Sequence, residues 1–351
     1  MNDLSAIDSN FKVETKIVQS DLHFYDPQQG PFQIYGVFHE NGKFRRMPES
    51  VAAATSPGVL RLHSNTAGGR IRFQTDSPFV AIHAKMWNIG KMSHFPVTGM
   101  AGFDLYAAWE GQTERYMGTY IPPQDLQDGY ESILRFDSGK MREITVNMPL
   151  YSGVEEVYIG LQENAKILPP KPYKYQTPIV YYGSSITQGG CASRAGTAYE
   201  AIISRRLNAD YVNLGFSGNA KGEQPMADYI ASLPMSAFVL DYDYNAPTPE
   251  HLQATHEKLY QAVRNTHPDI PIVMMTRPKV YLTEEEVRRR EIVRATWQNA
   301  RNRGDKNVYL LIGADLMADC GNEGAVDGIH PTDYGFASIA RVLGDLLEKL
   351  L

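Results

Sequence analysis

Residue types that together can cleave an ester occur at the two ends of the second half of the chain. Asp327 and His330 lie three residues apart in Asp327-Gly328-Ile329-His330-Pro331, and Ser185 sits in Tyr182-Gly183-Ser184-Ser185-Ile186-Thr187. A hydroxyl is a poor nucleophile near neutral pH. It needs an imidazole to take its proton and a carboxylate to fix that imidazole's tautomer and orientation. One short turn can hold acid and base together, so only the serine has to arrive from elsewhere. The oxygen that becomes negative in acyl transfer also needs two or three preorganised donors, each worth on the order of 3 kcal/mol of barrier. The Ser185 N–H, Gly218 in Ser217-Gly218-Asn219 and Asn245 in Asp243-Tyr244-Asn245-Ala246 are the candidates. Taken singly, each has a plainer reading as a turn serine, a turn glycine or an Asx-turn residue. Asp-x-x-His is also a metal-ligand spacing. No third ligand with suitable spacing stands out in the sequence, so neither a metal nor another cofactor is expected.

These groups have to meet at one edge of a rigid scaffold, and the pattern after residue 172 supplies one. Apolar strands are predicted at Ile179–Tyr182, Tyr211–Leu214, Ala237–Asp241, Ile270–Met275 and Val308–Ile312, with helical segments between them. Segment 249–266 carries Leu252, Leu259 and Val263 on one face, and Thr283 with Glu286 makes a capping box for the next helix. The last helix carries Phe336, Ile339, Leu343, Leu346, Leu347 and Leu350 as one stripe, with Thr332 placed to cap it. Five strands with intervening helices specify a parallel sheet covered on both faces, whose ligands gather at the carboxyl ends of the strands. Ser185, Gly218 and Asn245 all fall just past such ends. So does Arg277, which reads equally as a contact for an anionic or hydroxyl-rich substrate and as a loop arginine satisfied by its neighbours.

From about residue 15 to about 165 the period is two. Val80, Ile82, Ala84 and Met86, then Phe103, Leu105, Ala107 and Trp109, then Ile144, Val146 and Met148 alternate with their neighbours. That predicts strands with one buried face. Asn41-Gly42, Gly68-Gly69, Asp128-Gly129 and Ser152-Gly153 punctuate them, and no helix stands out, so an antiparallel, jelly-roll-like β-sandwich follows. Leu168-Pro169-Pro170-Lys171-Pro172 reads as a linker, dividing the chain into a sandwich at 1–170 and a catalytic unit at 176–351. The stretch Trp87 to Met100 reads as an ordinary sandwich loop, with a lid over the catalytic edge as the alternative, and its His94 is given no chemistry.

The chain has 351 residues, 43% of them hydrophobic, and a net charge of -6. Nucleic acid is not an expected partner, because the charge balance offers no basic footprint. Arg288-Arg289-Arg290 follows Glu284-Glu285-Glu286 and reads as a solvated helix face. The first residues are polar and no apolar run is long enough to span a bilayer, so no membrane partner is expected. As written the protein is expected in the cytoplasm, or outside the cell if a signal peptide has been removed. Cys191 and Cys320 are too few for a disulfide framework and read as free thiols. The oligomeric state leaves no mark in the sequence.

In order, Gly183-Ser184-Ser185-Ile186-Thr187, Ser217-Gly218-Asn219, Asn245 and Asp327-Gly328-Ile329-His330-Pro331 resemble the blocks of the SGNH (GDSL-like) hydrolases over roughly residues 176–351. The resemblance implies a flavodoxin-like, three-layer α/β/α domain with a five-stranded parallel sheet. It makes Ser185 the nucleophile, has Gly218 and Asn245 complete the oxyanion hole with the Ser185 N–H, and finishes the triad with His330 and Asp327. The first half looks like the β-sandwich that precedes this domain in some two-domain members. Two blocks depart from the pattern: Ser184 and Ala246 stand where the family has Asp. Neither lost acid has a direct proton-transfer or oxyanion role. The expected activity is a metal-independent serine esterase acting on short acyl esters of carbohydrates or other small polar alcohols, the substrate part by fold-level analogy. An acyltransferase using the same acyl-enzyme, or a carbohydrate-binding protein with a vestigial catalytic half, are the alternatives.

Overall fold

The computed structural model describes Val13 and residues 16–351. The first half forms two large antiparallel sheets and a small two-stranded one, Phe38–Glu40 with Lys43–Arg45. One large sheet runs Leu22–Tyr25, Gly153–Gln162, Phe79–Trp87, Gly129–Arg135; the other runs Ile167–Leu168, Arg70–Thr75, Arg142–Asn147, Phe103–Ala108, Arg115–Tyr120, with Gln33–Tyr35 also paired to Arg70–Thr75. Their facing sides make one core, in which Val80, Ile82, Ala84 and Met86 meet Phe103, Leu105, Ile144 and Val146. The expected alternation therefore holds on the inner face. The outer face of the second sheet is largely covered at its centre, since Arg142–Asn147 is buried at every position. The other half of the chain covers it.

The second half is a parallel sheet in the order Ala209–Gly215, Tyr175–Gly183, Ala237–Asp241, Ile272–Met275, Val308–Leu311, the flavodoxin-like arrangement. Alternate strand residues serve opposite cores. Ile179, Tyr181, Val239 and Val273 pack under helices Tyr199–Leu207 and Asp333–Leu350, while Val180, Tyr182, Phe238 and Leu240 pack under Gln224–Ser232, Pro249–Thr266 and Glu284–Asn302. The Thr283–Glu286 capping box is present. Thr332 is the residue ahead of the last helix but makes no side-chain cap; its hydroxyl bonds Gly324 O at 3.2 Å instead.

Three features depart from the sequence reading. The first half does hold helices, at Glu49–Thr55, Pro57–Leu62 and Val97–Met100. Ser56 and Pro57 form a start signal, with the serine side chain accepting from Val59 N and the proline in the first turn. These helices are too short to show a periodicity, and Ala52, Val59 and Leu62 bury against the catalytic half rather than within the sandwich. The Pro-rich stretch is also not a free tether. Ile167–Leu168 is a sandwich strand, Gln74 Nε2 donates to Pro169 O at 2.6 Å, and Lys171 N donates to Glu143 Oε1 at 2.7 Å.

The third departure is how closely the halves are joined. Buried Arg46 donates to Gly215 O at 2.6 Å, Asn213 O at 3.2 Å and Leu62 O at 2.8 Å. Buried Asp104 accepts from Gly196 N at 2.7 Å and from Asn147 Nδ2 at 2.7 Å, and Arg70 pairs with Asp210. Strand positions that were expected to be wet carry the polar groups of this seam.

Candidate active site

Ser185 lies in a turn directly after the central strand Tyr175–Gly183. The turn is possible because Gly183 packs against Asp241 O and the Thr187 side chain, where a Cβ would not fit. Gly189, with φ +91°, lets the chain reverse, and Gly190 N closes the loop on Ser185 O at 2.7 Å. Ser184, standing where the resemblance has an acid, accepts from Ile186 N at 3.2 Å, so the smaller side chain still ties this turn. The nucleophile candidate is 8% exposed.

The acid and base arrive on a self-closed turn. Asp327 Oδ1 accepts from Ile329 N at 2.9 Å and His330 N at 2.8 Å, and Ala325 bridges Pro331. The remaining oxygen, Oδ2, lies 2.7 Å from His330 Nδ1, and His330 Nε2 lies 2.9 Å from Ser185 Oγ. All three candidates are thus joined in one chain of hydrogen bonds. Burial pushes the Asp327 carboxyl up, but the backbone N–H and imidazole of His330 and the N–H of Ile329 outweigh it and hold it at about 2.

Around this line stand the other candidates. The N–H groups of Ser185 and Gly218 have no protein acceptor among the described residues, and Gly218 is exposed with φ +67°. Asn245 Oδ1 accepts from Ala220 N at 3.4 Å, which leaves its Nδ2 as the free end of the amide. Two arginines hold the Asn245 loop from below. Arg289 donates to Asp243 O at 3.0 Å and Ala246 O at 2.7 Å; Arg277 reaches Asp243 Oδ2 at 3.4 Å and Glu286 Oε1 at 2.8 Å, under the Tyr244 ring. Arg277 is 6% exposed and its guanidinium is spent on these partners, so the geometry favours a loop arginine satisfied by its neighbours over a substrate contact. Arg289 corrects the reading of the basic run as a solvated face. Arg288 does pair with Glu250 at the surface, but its neighbour is 5% exposed and clamps the loop.

Several neighbours of the site gave no sequence signal because they act between the sandwich and the catalytic half. Tyr151 donates to Ser185 O at 3.2 Å and packs edge-on to Phe95. Gln188 Nε2 donates to Asn65 Oδ1 at 3.1 Å and Leu150 O at 3.2 Å, while its Oε1 accepts from Ser217 N at 3.0 Å; one side chain joins sandwich, nucleophile turn and Gly218 loop. The Trp87 to Met100 stretch does reach the catalytic edge. Thr98 Oγ1 donates to Ser193 O at 2.6 Å, and His94 Nε2 lies 3.7 Å from Asp327 Oδ2 with its ring 5.8 Å from that of His330. The lid alternative thus describes this stretch better than an ordinary loop. Asp333 ties the same edge down, accepting from Ser193 N at 2.8 Å and Thr197 Oγ1 at 2.7 Å.

Both cysteines are free thiols. Burial, with the charge of Asp327, pushes the Cys191 thiol up to about 12. Ligand atoms of His94, Cys191 and His330 lie within 4.8 Å of one another. The sequence offered no third ligand because His94 and Cys191 are far from His330 along the chain. Both nitrogens of His330 already face Ser185 and Asp327, so an ion taking that imidazole would occupy the position of the serine proton.

A parallel sheet with a serine, an imidazole and a carboxylate aligned at its carboxyl edge, and free N–H groups beside the serine, has the geometry of the serine acyl hydrolases. The GDSL-like lipase/acylhydrolase family model matches residues 176–348, and a model for the N-terminus of SGNH-hydrolase-type esterases matches residues 22–167. The chain belongs to the GDSL-like lipase/acylhydrolase family in its two-domain form, and it is an enzyme acting on carboxylic ester bonds. A search of curated proteins finds no significant match. Among solved structures, a protein assigned as a GDSL-like lipase from Bacteroides ovatus ATCC 8483 superposes with TM-score 0.83 at 28% identity, covering 94% of this chain and 98% of that one. A salicylyl-acyltransferase from a tetracycline biosynthetic pathway gives 0.74 at 19% identity over 95% and 98%. A family two carbohydrate esterase from Cellvibrio japonicus gives 0.61 at 11% identity over 94% and 98%. The last two establish likeness of fold.

Proposed function

We propose that this protein is a metal-independent serine esterase that removes short acyl groups, of acetyl size, from carbohydrates or other small polar alcohols. One observation carries the chemistry: the unbroken line from Ser185 Oγ through His330 to Asp327, with contacts of 2.9 and 2.7 Å. His330 Nε2 takes the serine proton as Oγ attacks the acyl carbon, and Asp327 keeps the other ring nitrogen protonated and stabilises the imidazolium. The negative oxygen then sits against the N–H groups of Ser185 and Gly218 and the Asn245 amide. His330 returns its proton to the departing alcohol, leaving an acyl-serine. A water activated by the same imidazole releases the acid.

A nucleophile only 8% exposed, with His94 standing against the acid–base turn, favours a small acyl group. The sugar part of the reading is supported by the carbohydrate esterases that share the whole two-domain layout. p-Nitrophenyl acetate and butyrate and acetylated sugars should be hydrolysed without loss of rate in EDTA, and Ser185→Ala should abolish both this turnover and labelling by a fluorophosphonate. Labelling that persists in Ser185→Ala sinks the assignment. So does activity lost to EDTA and restored by zinc. The likeness to a salicylyl-acyltransferase favours one second reading, transfer of the acyl group to an alcohol or amine. Product analysis with added acceptor decides it: transfer outrunning hydrolysis at modest acceptor concentration replaces the esterase reading.

A further inference from the structure

The outer face of the second sandwich sheet and the end of helix Tyr199–Leu207 enclose a cleft of about 510 Å³, within the roughly 300–1,000 Å³ of small-molecule sites. Arg72 and Glu143 line it, 4% and 8% exposed. Their mutual contact is long, with Arg72 Nη2 3.5 Å from Glu143 Oε1, an oxygen that the Lys171 N–H also holds. Arg72 Nε and Nη1 and Glu143 Oε2 are buried with no hydrogen-bond partner among the described residues. Leaving such groups unpaired costs about 1–3 kcal/mol each, which a fold without a use for them does not retain by default. The Tyr173 ring centroid lies 4.0 Å from the Arg72 guanidinium carbon, and half-buried Trp109, packed on one side against the sandwich core, lines the cleft.

Unpaired donors beside an unpaired carboxylate oxygen recognise a group that both accepts and donates. Neighbouring sugar hydroxyls do this, and an aromatic wall suits a pyranose face. A free anion meets Glu143 and a cation meets Arg72. We propose that this cleft is a carbohydrate-binding site that takes a neutral sugar residue, separate from the catalytic edge. Helix Tyr199–Leu207 separates the two sites. Tyr199 at its start bonds Thr187 beside the nucleophile turn, and Ala201, Ser204, Arg205 and Asn208 after it line the cleft, whose far end at Asn208 lies about 13 Å along the helix axis at 1.5 Å per residue. The cleft therefore grips a part of a saccharide chain remote from the scissile ester. This goes beyond the esterase reading and stands without it.

The test is calorimetric titration of cellohexaose, xylohexaose and mannohexaose into the full-length Ser185→Ala protein. At least one should bind with sub-millimolar affinity, and Trp109→Ala and Arg72→Gln should each weaken it by about tenfold, near 1.4 kcal/mol. In the otherwise unaltered enzyme the same two changes should leave p-nitrophenyl acetate hydrolysis within about twofold, since uniform remote binding does not enter that reaction. Trp109→Ala, which removes no buried charge, decides alone if Arg72→Gln fails to fold. No binding by any hexaose, binding unchanged by Trp109→Ala, or tighter binding of inorganic phosphate than of sugar would overturn the proposal. Absence of ester hydrolysis by the enzyme with Ser185 intact, while hexaose binding survives, would instead overturn the esterase reading and leave the cleft standing.

Discussion

The two arms of the proposed catalytic line are built in opposite ways. The nucleophile turn is buried, with Ser184, Ile186, Thr187 and Gln188 all inaccessible, and it leans on Tyr151, Asn65 and Leu150 from the other half of the chain. The acid–base turn is half-exposed and closes on itself through Asp327, needing only the last helix behind it. Position of the serine is thus a property of how the halves dock, while position of the imidazole is a property of the short segment Ala325–Pro331. Damage to the seam should reach the chemistry through Ser185, not through His330.

The largest effect should come from the line itself. Ser185→Ala and His330→Ala should each lower kcat by about 10⁴-fold or more with little change in melting temperature, and Asp327→Asn somewhat less. Measured kcat within about tenfold of wild type for any of the three would break the assignment. Next comes the seam. Gln188→Leu strands Ser217 N and Leu150 O in a buried site, so it should cost about 2–4 kcal/mol of stability in urea unfolding and lower kcat tens of fold under conditions where the protein stays folded. An unchanged kcat in the folded variant would show that docking does not set the serine.

pH separates the arms again. Asp327 is held down at about 2, so its contribution to stability is present above the ordinary carboxylate range and is lost only as pH falls through about 2. Loss of kcat/KM on acidification through the ordinary carboxylate range should therefore not come from Asp327. Beneath the nucleophile turn, buried Asp241 goes the other way: burial, with the charge of Asp243, raises it to about 8. Its folded value lies above its unfolded one, so the stability it contributes is complete below the ordinary carboxylate range and is lost as pH rises through about 8. From this group the melting temperature should fall as pH rises from the ordinary carboxylate range to about 8, and Asp241→Asn should flatten that slope. A slope unchanged by the substitution would place the titration elsewhere. The smallest effect concerns His94, Cys191 and His330. Added zinc should inhibit reversibly, with EDTA restoring activity, and Cys191→Ser should weaken the inhibition by about tenfold. Equal inhibition of the variant would show that the three side chains do not act as a set.

Legibility followed the same division. The parallel sheet, its order of elements and the terminal helix were readable because each carries a local period, and Asp327 with His330 because three residues span one turn. Asn245 was readable as a residue, but its support was not. Arg277 and Arg289 are cations in a loop and on a helix, and nothing in a linear pattern says that both turn inward onto the Asp243–Pro247 backbone. His94 and Tyr151 were missed for a related reason. They act across the seam, and docking between distant segments leaves no periodicity. Asp104, Thr145 and Asn147 are among the neighbours that alternate with the apolar strand residues, and a period-two pattern puts them on the wet side because it has no knowledge of a second layer arriving from outside.

Arg46 has a practical consequence for anyone wishing to shrink or recombine this enzyme. Its guanidinium is the donor that satisfies the carbonyls of Asn213 and Gly215, in the strand leading to Gly218. A fragment cut at the Pro-rich stretch would bare those carbonyls and the apolar surface around Leu62 and Val59 together. Truncation is therefore a poor route to a minimal catalyst, and a chimera that imports a foreign sandwich has to import a partner for this strand as well.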